Sequence, residues 1–326
     1  MKQPEQILVT GGAGFIGSHL CEALLGKGYE VVCLDNFYPS YEPSIKKRNI
    51  AQCGLNPRFT LVRADICDSD ELREKLAKFT FAAVIHLAAL AGVRPSVLEP
   101  ERYARVNVLG TLNLLQYCEF NHISRFIFAS SSSIYGNDPH IPFSESDPVD
   151  NPISPYAATK KAGELLCHTW HNLHKISVLC LRFFTVYGPR QRPDLAIHKF
   201  AAIMARNGLL PIYGDGSSSR DYTYIDDLID GVLAALDYVR EHFCFEIVNL
   251  GNDRSVSLNE MLATLEKVTG LTARRETKRV QEGDVLHTRA DISKARQLLN
   301  YAPQTGFEEG VGEFWEWWQE ENRISE

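Results

Sequence analysis

The chain has 326 residues, 44% hydrophobic and 23% charged, a composition that fits one large or two coupled globular domains and excludes a disordered chain. Lysine and arginine total 34 against 41 acids, a net charge of −7, which leaves no global footprint for nucleic acid or an anionic membrane surface. The basic clusters Lys46-Lys47-Arg48 and Arg274-Arg275 are short and read as solvated faces. No apolar run reaches the length of a membrane span. The N-terminal MKQPEQILVTGGAGFIG breaks its apolar stretch with glycines, unlike a secretory leader. Eight cysteines without a CxxC pair read as reduced, mostly buried thiols of a cytoplasmic protein. Neither they nor the histidines have metal-ligand spacing, so no metal is expected.

Residues 6–9 form a strand that runs into glycines, and residues 15–28 have helical periodicity. Residues 30–35 (EVVCLD) are a β-branched strand ending in an acid, and 59–63 are another strand. Residues 68–79 read as a helix, with Asp68 and Glu71 at capping-box spacing. Residues 82–87 (AAVIHL) are a buried strand, 101–121 one long helix, and 125–129 a strand. Residues 155–174 read as a helix and 177–183 as a strand. This alternation implies parallel strands joined by right-handed crossovers, hence an α/β fold with a Rossmann-type doubly wound sheet. After about residue 184 prolines and glycines rise and the rhythm loosens, while 246–250 (EIVNL) reads as a strand returning to the sheet. We therefore expect a cofactor domain of residues 1–182 with 223–250. A smaller, sequence-discontinuous lobe takes 183–222 and 251–326. The tail Phe314-Trp315-Glu316-Trp317-Trp318 reads as an amphipathic helix packed on that lobe.

Gly11, Gly14 and Gly17 follow the first strand and open the first helix, with Phe15 and Ile16 between them. Gly11 permits the turn, Gly14 lets a pyrophosphate approach the backbone, and Gly17 lets helix and strand pack closely. The helix N-terminus then offers amides and a positive dipole to phosphate. Asp35, at the end of the second strand, can accept both ribose hydroxyls and would repel a 2′-phosphate, so NAD is expected over NADP. Asn36 brings no offsetting positive charge. Asp65 and Ile66 could hold the adenine amino group. Tyr156 and Lys160 are i and i+4 on one helix face, so an ammonium can favour the phenolate and make it a base. Ser131, in the run Ser130 to Ser133, could donate to the hydroxyl that Tyr156 deprotonates.

TGGAGFIG, Asp35, HLAA (86–89), SSSSIYG (130–136), SPYAATK (154–160) and RDYTYIDD (220–227) together resemble the extended short-chain dehydrogenase/reductase family, in its nucleotide-sugar epimerase and dehydratase branch. The resemblance implies NAD as cofactor, Tyr156 as base, Lys160 as its partner at the nicotinamide ribose, and Ser131 as the catalytic serine. It also places Leu87, Ala88, Ala89 and Asn107 at the cofactor. Ser132 and Ser133 stand where sugar dehydratases carry Asp and Glu, and Ser133 where UDP-glucuronate decarboxylases typically carry Glu, which argues against both reactions.

FFTVYGPRQRPD (183–194), with Thr185 where many UDP-hexose epimerases have Asn, resembles the branch acting on UDP-glucuronate at C4. Ser131, Ser132, Ser133 and Thr185 could then supply donors to a C6 carboxylate. By the same resemblance Arg192 holds the nucleotide, Arg220 and Asp284 the diphosphate and uridine ribose, and Arg94 lies near the substrate. An ion pair of Arg220 with Asp221 or Asp226 is the structural alternative. The expected activity is interconversion of UDP-glucuronate and UDP-galacturonate through a 4-keto sugar. Alternatives are a UDP-glucose or UDP-N-acetylglucosamine 4-epimerase, less so a decarboxylase or a non-catalytic NAD-binding regulator. A homodimer through helices 101–121 and 155–174 is expected from the family.

Overall fold

A computed structural model describes residues 4–278 and 285–323. Strand β1 (Gln6–Thr10) is buried after its first residue, as a parallel strand covered on both faces must be. It is followed by α1 (Phe15–Gly26), β2 (Glu30–Leu34), α2 (Pro43–Asn49), β3 (Phe59–Val62), α3 (Ser69–Leu76) and β4 (Phe81–His86). Next come α4 (Val93–Leu98), α5 (Pro100–Tyr103), α6 (Gly110–Phe120), β5 (Arg125–Ser131), α7 (Pro155–His174) and β6 (Ser177–Phe183). The remainder is β7 (Thr185–Tyr187), α8 (Ala196–Ala205), β8 (Leu209–Tyr213), β9 (Ser219–Tyr224), α9 (Ile225–Glu241), β10 (Phe245–Leu250), β11 (Ser255–Ser257), α10 (Leu258–Thr269), β12 (Arg274–Lys278), α11 (Ser293–Leu299) and α12 (Phe307–Arg323).

Seven strands form one sheet in the order β10-β6-β5-β4-β1-β2-β3, with every pairing parallel. The expected doubly wound α/β sheet is therefore present, and β10 returns to pair with β6. The chain winds from β1 through β2 to β3, then crosses to β4 and winds the other way. β1 and β4 thus flank a topological switch point, where α/β sheets open a crevice at the strands' carboxyl ends. Two small sheets, β11-β9-β7 and β12-β8, lie in the C-terminal half.

Helix α12 packs on this half as expected. Phe307 lies 5.2 Å from the rings of both Tyr187 and Tyr222, and Phe314 and Trp315 are buried. All eight cysteines are free thiols, six of them buried. Among the described residues no helix is long and apolar enough to cross a membrane.

Two local expectations need correction. The long helix of 101–121 is interrupted by a π-helical turn at Ala104–Leu109. Asn107, inside that turn, turns its side chain back onto Leu90, and Thr111 donates its hydroxyl to the Asn107 carbonyl at 2.6 Å. Groups inserted into the helical ladder in this way disturb it. The capping box on α3 is only half formed. Asp68 accepts the Glu71 amide at 2.9 Å, but the Glu71 carboxylate takes the Asp65 amide and the Lys75 ammonium instead.

Candidate active site

The glycine loop sits at the crevice. Gly11 has φ of 71°, and a Cβ there would stand 2.7 Å from the Ala88 amide nitrogen; one on Gly17 would stand 2.2 Å from the Gly11 carbonyl oxygen. Both positions must therefore be glycine for β1, α1 and the strand-end segment 87–89 to meet. Gly14 differs. Its φ of −72° suits any residue, and a Cβ would meet only the Gly11 oxygen, at 3.2 Å. It lines a cleft of about 600 Å³, so the space beside it is open for a ligand. Helix α1 begins here without a side-chain cap, leaving its first amides to whatever the cleft holds. Phe15, Ile16 and Gly17, with Leu87, Ala88 and Ala89, line the same cleft. These residues fit a dinucleotide phosphate group.

Asp35, Asn36, Asp65 and Ile66 continue the lining from the ends of β2 and β3. The Asp35 carboxylate accepts the Phe37 amide at 2.8 Å and the Ala13 amide at 3.3 Å. Asn36 donates to Asp65 at 3.1 Å.

A cation that the sequence reading placed in solvent lies here. Lys46 is only 8% exposed, lines the cleft and pairs with Asp35 at 3.4 Å. Its neighbour on the helix face, Asn49, donates to the Ala13 carbonyl at 3.3 Å, so α2 docks on the glycine loop through an i, i+3 pair. That polar pair beside a proline-started helix was the available signal. Tyr41, also lining the cleft, has the Lys46 ammonium 5.5 Å and the Arg192 guanidinium 6.0 Å from its ring centroid. Its hydroxyl is buried with no partner among the described residues.

The central sector brings together Ser131, Ser132, Ser133, Tyr156, Lys160 and Thr185, with Arg192 at its edge. The proton chemistry differs from the sequence expectation. Burial pushes the Tyr156 phenol above its ordinary value, while the Ser131 hydroxyl and the Arg192 charge pull it down. Lys160 was expected to supply that cation. Instead its ammonium donates to the Ala129 carbonyl at 2.7 Å and lies 5.1 Å over the Phe128 ring. Its own burial lowers it to about 8. The Ser131 hydroxyl donates to the Ser133 hydroxyl at 3.2 Å, which links these two serines.

Three assigned residues lie off this lining. Asn107 is buried, with its amide committed to Leu90 and Thr159. Since Thr159 donates to the Tyr156 carbonyl, Asn107 steadies α7, and it lies off the cleft lining. Arg94 stacks 5.2 Å over Tyr213 and does not line the cleft. Arg220 donates to the carbonyls of Ser219 and Leu286 and also lies off the lining. Its neighbour Asp221 is buried and accepts the Asn252 and Ala290 amides at 2.7 and 3.0 Å. Asp284 falls outside the described residues.

Residues 7–251 match the sequence profile of the NAD dependent epimerase/dehydratase family. The chain belongs to that family. This member is 41% identical, over 96% of both chains, to the UDP-glucuronate 4-epimerase of Thermodesulfobacterium geofontis. It superposes with a TM-score of 0.89 on the crystal structure of UDP-glucuronic acid 4-epimerase from Bacillus cereus in complex with UDP-glucuronic acid and NAD. That match has 39% identity and covers 97% of this chain and 99% of that one. UDP-glucose 4-epimerase from Thermotoga maritima, solved with UDP-glucose, gives a TM-score of 0.88 at 32% identity, covering 97% and 99%.

Proposed function

We propose that this family member is an NAD-dependent epimerase that interconverts UDP-glucuronate and UDP-galacturonate at C4. What carries the reading is one cleft in which a half-buried tyrosine, a cluster of small hydroxyls and a glycine-opened phosphate cradle converge. Bound NAD supplies a hydride acceptor and donor for a single sugar carbon. Tyr156 takes the C4 hydroxyl proton and later returns it, with Ser131, which lines the same cleft, as the relay. Lys160 holds the nicotinamide ribose, and Asp35 holds the adenosine ribose. Gly14 leaves room for the pyrophosphate, Gly11 and Gly17 let the loop close-pack around it, and Asp65 and Ile66 border the adenine.

The C6 carboxylate sets a special demand. A 4-keto glucuronide is a β-keto acid and loses CO₂ when its C5–C6 bond stands perpendicular to the ketone plane. Ser132, Ser133 and Thr185 hold the carboxylate away from that geometry in both ring orientations, because small hydroxyls rotate to follow it. Arg192 holds the diphosphate side of the substrate. The cofactor domain takes residues 1–182 with 223–250, and the sugar lobe takes 183–222 with 251–326.

We place the protein in the cytoplasm, on its eight free thiols. We assign it a homodimeric state through α6 and α7, which leave Phe120, Leu165 and Leu173 exposed. Turnover of UDP-glucuronate, UDP-glucose and UDP-N-acetylglucosamine measured side by side tests the substrate. The uronate should be preferred by at least about tenfold, since its carboxylate bonds to a built donor set. Equal or greater turnover of a neutral sugar would reject the uronate reading.

A further inference from the structure

Helix α7 carries more charge toward the sheet than the reaction needs. Tyr156, Lys160 and Glu164 follow one another at i, i+4 and i+8 on one face. Lys160 is 5%, Glu164 2% and Arg182 1% exposed. Two consecutive residues of β5 meet this face in step. The Ala129 carbonyl accepts from Lys160 at 2.7 Å, and Ser130 donates to Glu164 at 2.6 Å. Gly163 makes the approach possible, because a Cβ there would lie 2.3 Å from the Phe128 ring.

From β6, opposite Ser130 in register, Arg182 grips Glu164 with two bonds of 2.9 Å. Its third bond, 2.9 Å, goes to the Tyr135 hydroxyl, which donates to Asn249 on β10 at 2.7 Å. Such a pair, with both carboxylate oxygens hydrogen-bonded, is a rigid post; with one partner missing it is an unpaired buried charge.

We propose that the buried Glu164–Arg182 pair is a positioning device for the catalytic helix, in which the Glu164 carboxylate keeps Lys160 as an ammonium and Arg182 fixes that carboxylate from the sheet. This rests on the reading of Tyr156 and Lys160 as reaction residues. The groups facing Lys160 are few. Tyr156, Lys161, Glu164 and Cys167 come from α7, and His86 comes from β4. From β6, Arg182 and Cys180 face Glu164, and β5 contributes only Ala129 and Ser130. Burial lowers His86 and keeps it neutral, and Glu164 is the one carboxylate among these groups.

The expected signs follow. Glu164→Gln removes the anion and leaves Arg182 unpaired, so Lys160 loses its proton at lower pH. Arg182→Met leaves the anion unneutralised, so Lys160 keeps its proton to higher pH. A merely structural pair would shift both variants alike. The test is an NMR titration of protein labelled with ¹³C at lysine Cε, with the Lys160 signal assigned by its loss in Lys160→Arg. Glu164→Gln should lower the Lys160 midpoint by about one pH unit or more, and Arg182→Met should raise it. Should neither single variant fold, the double variant has no unpaired charge, and its Lys160 midpoint should still fall. Midpoints that stay within about 0.3 unit of wild type, or that move in the same direction in both single variants, would overturn the proposal. The titration needs no substrate, so it is independent of which sugar the enzyme takes. The alkaline limb of kcat/KM, read with whichever UDP-sugar the wild type turns over, should move with the midpoints.

Discussion

Two glycines of one loop separate folding from ligand binding. At Gly17 an added methyl would sit 2.2 Å from the Gly11 oxygen and 2.7 Å from Gly12 Cα, both backbone, so α1 must shift away from β1. Overpacking of this kind costs about 1–3 kcal/mol. At roughly 2 °C per kcal/mol for a chain this long, Gly17→Ala should lower the Tm by about 2–6 °C. At Gly14 the backbone is already in a region any residue adopts, and the methyl meets one oxygen at 3.2 Å before entering the cleft. The small crowding is offset by the about 0.4–1 kcal/mol that alanine removes from unfolded-chain entropy. The Tm of Gly14→Ala without ligand should therefore stay within about 1 °C of wild type. The methyl then occupies space a pyrophosphate needs, and the same 1–3 kcal/mol appears as an about 5- to 150-fold weaker NAD affinity. Calorimetric titration of NAD into stripped protein, with thermal melts in parallel, reads both effects. If Gly14→Ala binds NAD like wild type, or melts as low as Gly17→Ala, the assignment of this loop to the pyrophosphate is wrong.

Other outcomes follow from the same geometry. Ser131→Ala and Arg192→Gln each remove a group that pulls the Tyr156 phenol down, so the acidic limb of kcat/KM should move to higher pH in both; an unmoved limb would detach these residues from the base. Thr185→Val removes one carboxylate donor and should raise the fraction of CO₂ and pentose product, and an unchanged product ratio would free Thr185 of that role. His86 is buried between Thr10 and Thr111 and lowered to about 3. Its folded value lies below the unfolded one, so stability is present above about pH 6.5 and is lost as pH falls toward 3. His19, lowered to about 4, acts in the same direction, whereas Asp221, raised to about 6, opposes them by losing stability as pH rises through 6. His86→Gln should flatten the denaturation free energy between pH 6 and 4 by about 1.4 kcal/mol per pH unit, and an unchanged slope would show that His86 is protonated in the fold.

Periodicity located the sheet because parallel strands are continuous apolar runs and their helices are amphipathic. The bounds of α7 and β6 agree with the sequence reading to the residue. The glycine loop, Asp35, the serines and Tyr156 were legible because each belongs to a short local motif. What escaped was set by contacts between distant segments. Lys46 looked like part of a solvated basic run, but the loop before it, with Phe37 at φ 56°, folds α2 back onto Asp35. Lys160 had the right spacing to Tyr156, yet the rotamer that reaches the Ala129 carbonyl depends on how closely Gly163 lets α7 approach β5. The Glu164–Arg182 pair joins a helix to the next strand and leaves no mark in either element's own pattern. Arg220 was expected at the diphosphate, and in the structure its guanidinium donates to the carbonyls of Ser219 and Leu286.

The most direct test of the account is proton NMR of UDP-glucuronate incubated with the protein and NAD, read at the anomeric signals, for wild type and Tyr156→Phe in parallel. The account predicts a growing UDP-galacturonate signal with wild type and a rate at least about 10²- to 10⁴-fold lower with the variant. Absence of the new signal with wild type, or epimerisation by Tyr156→Phe at the wild-type rate, would contradict it.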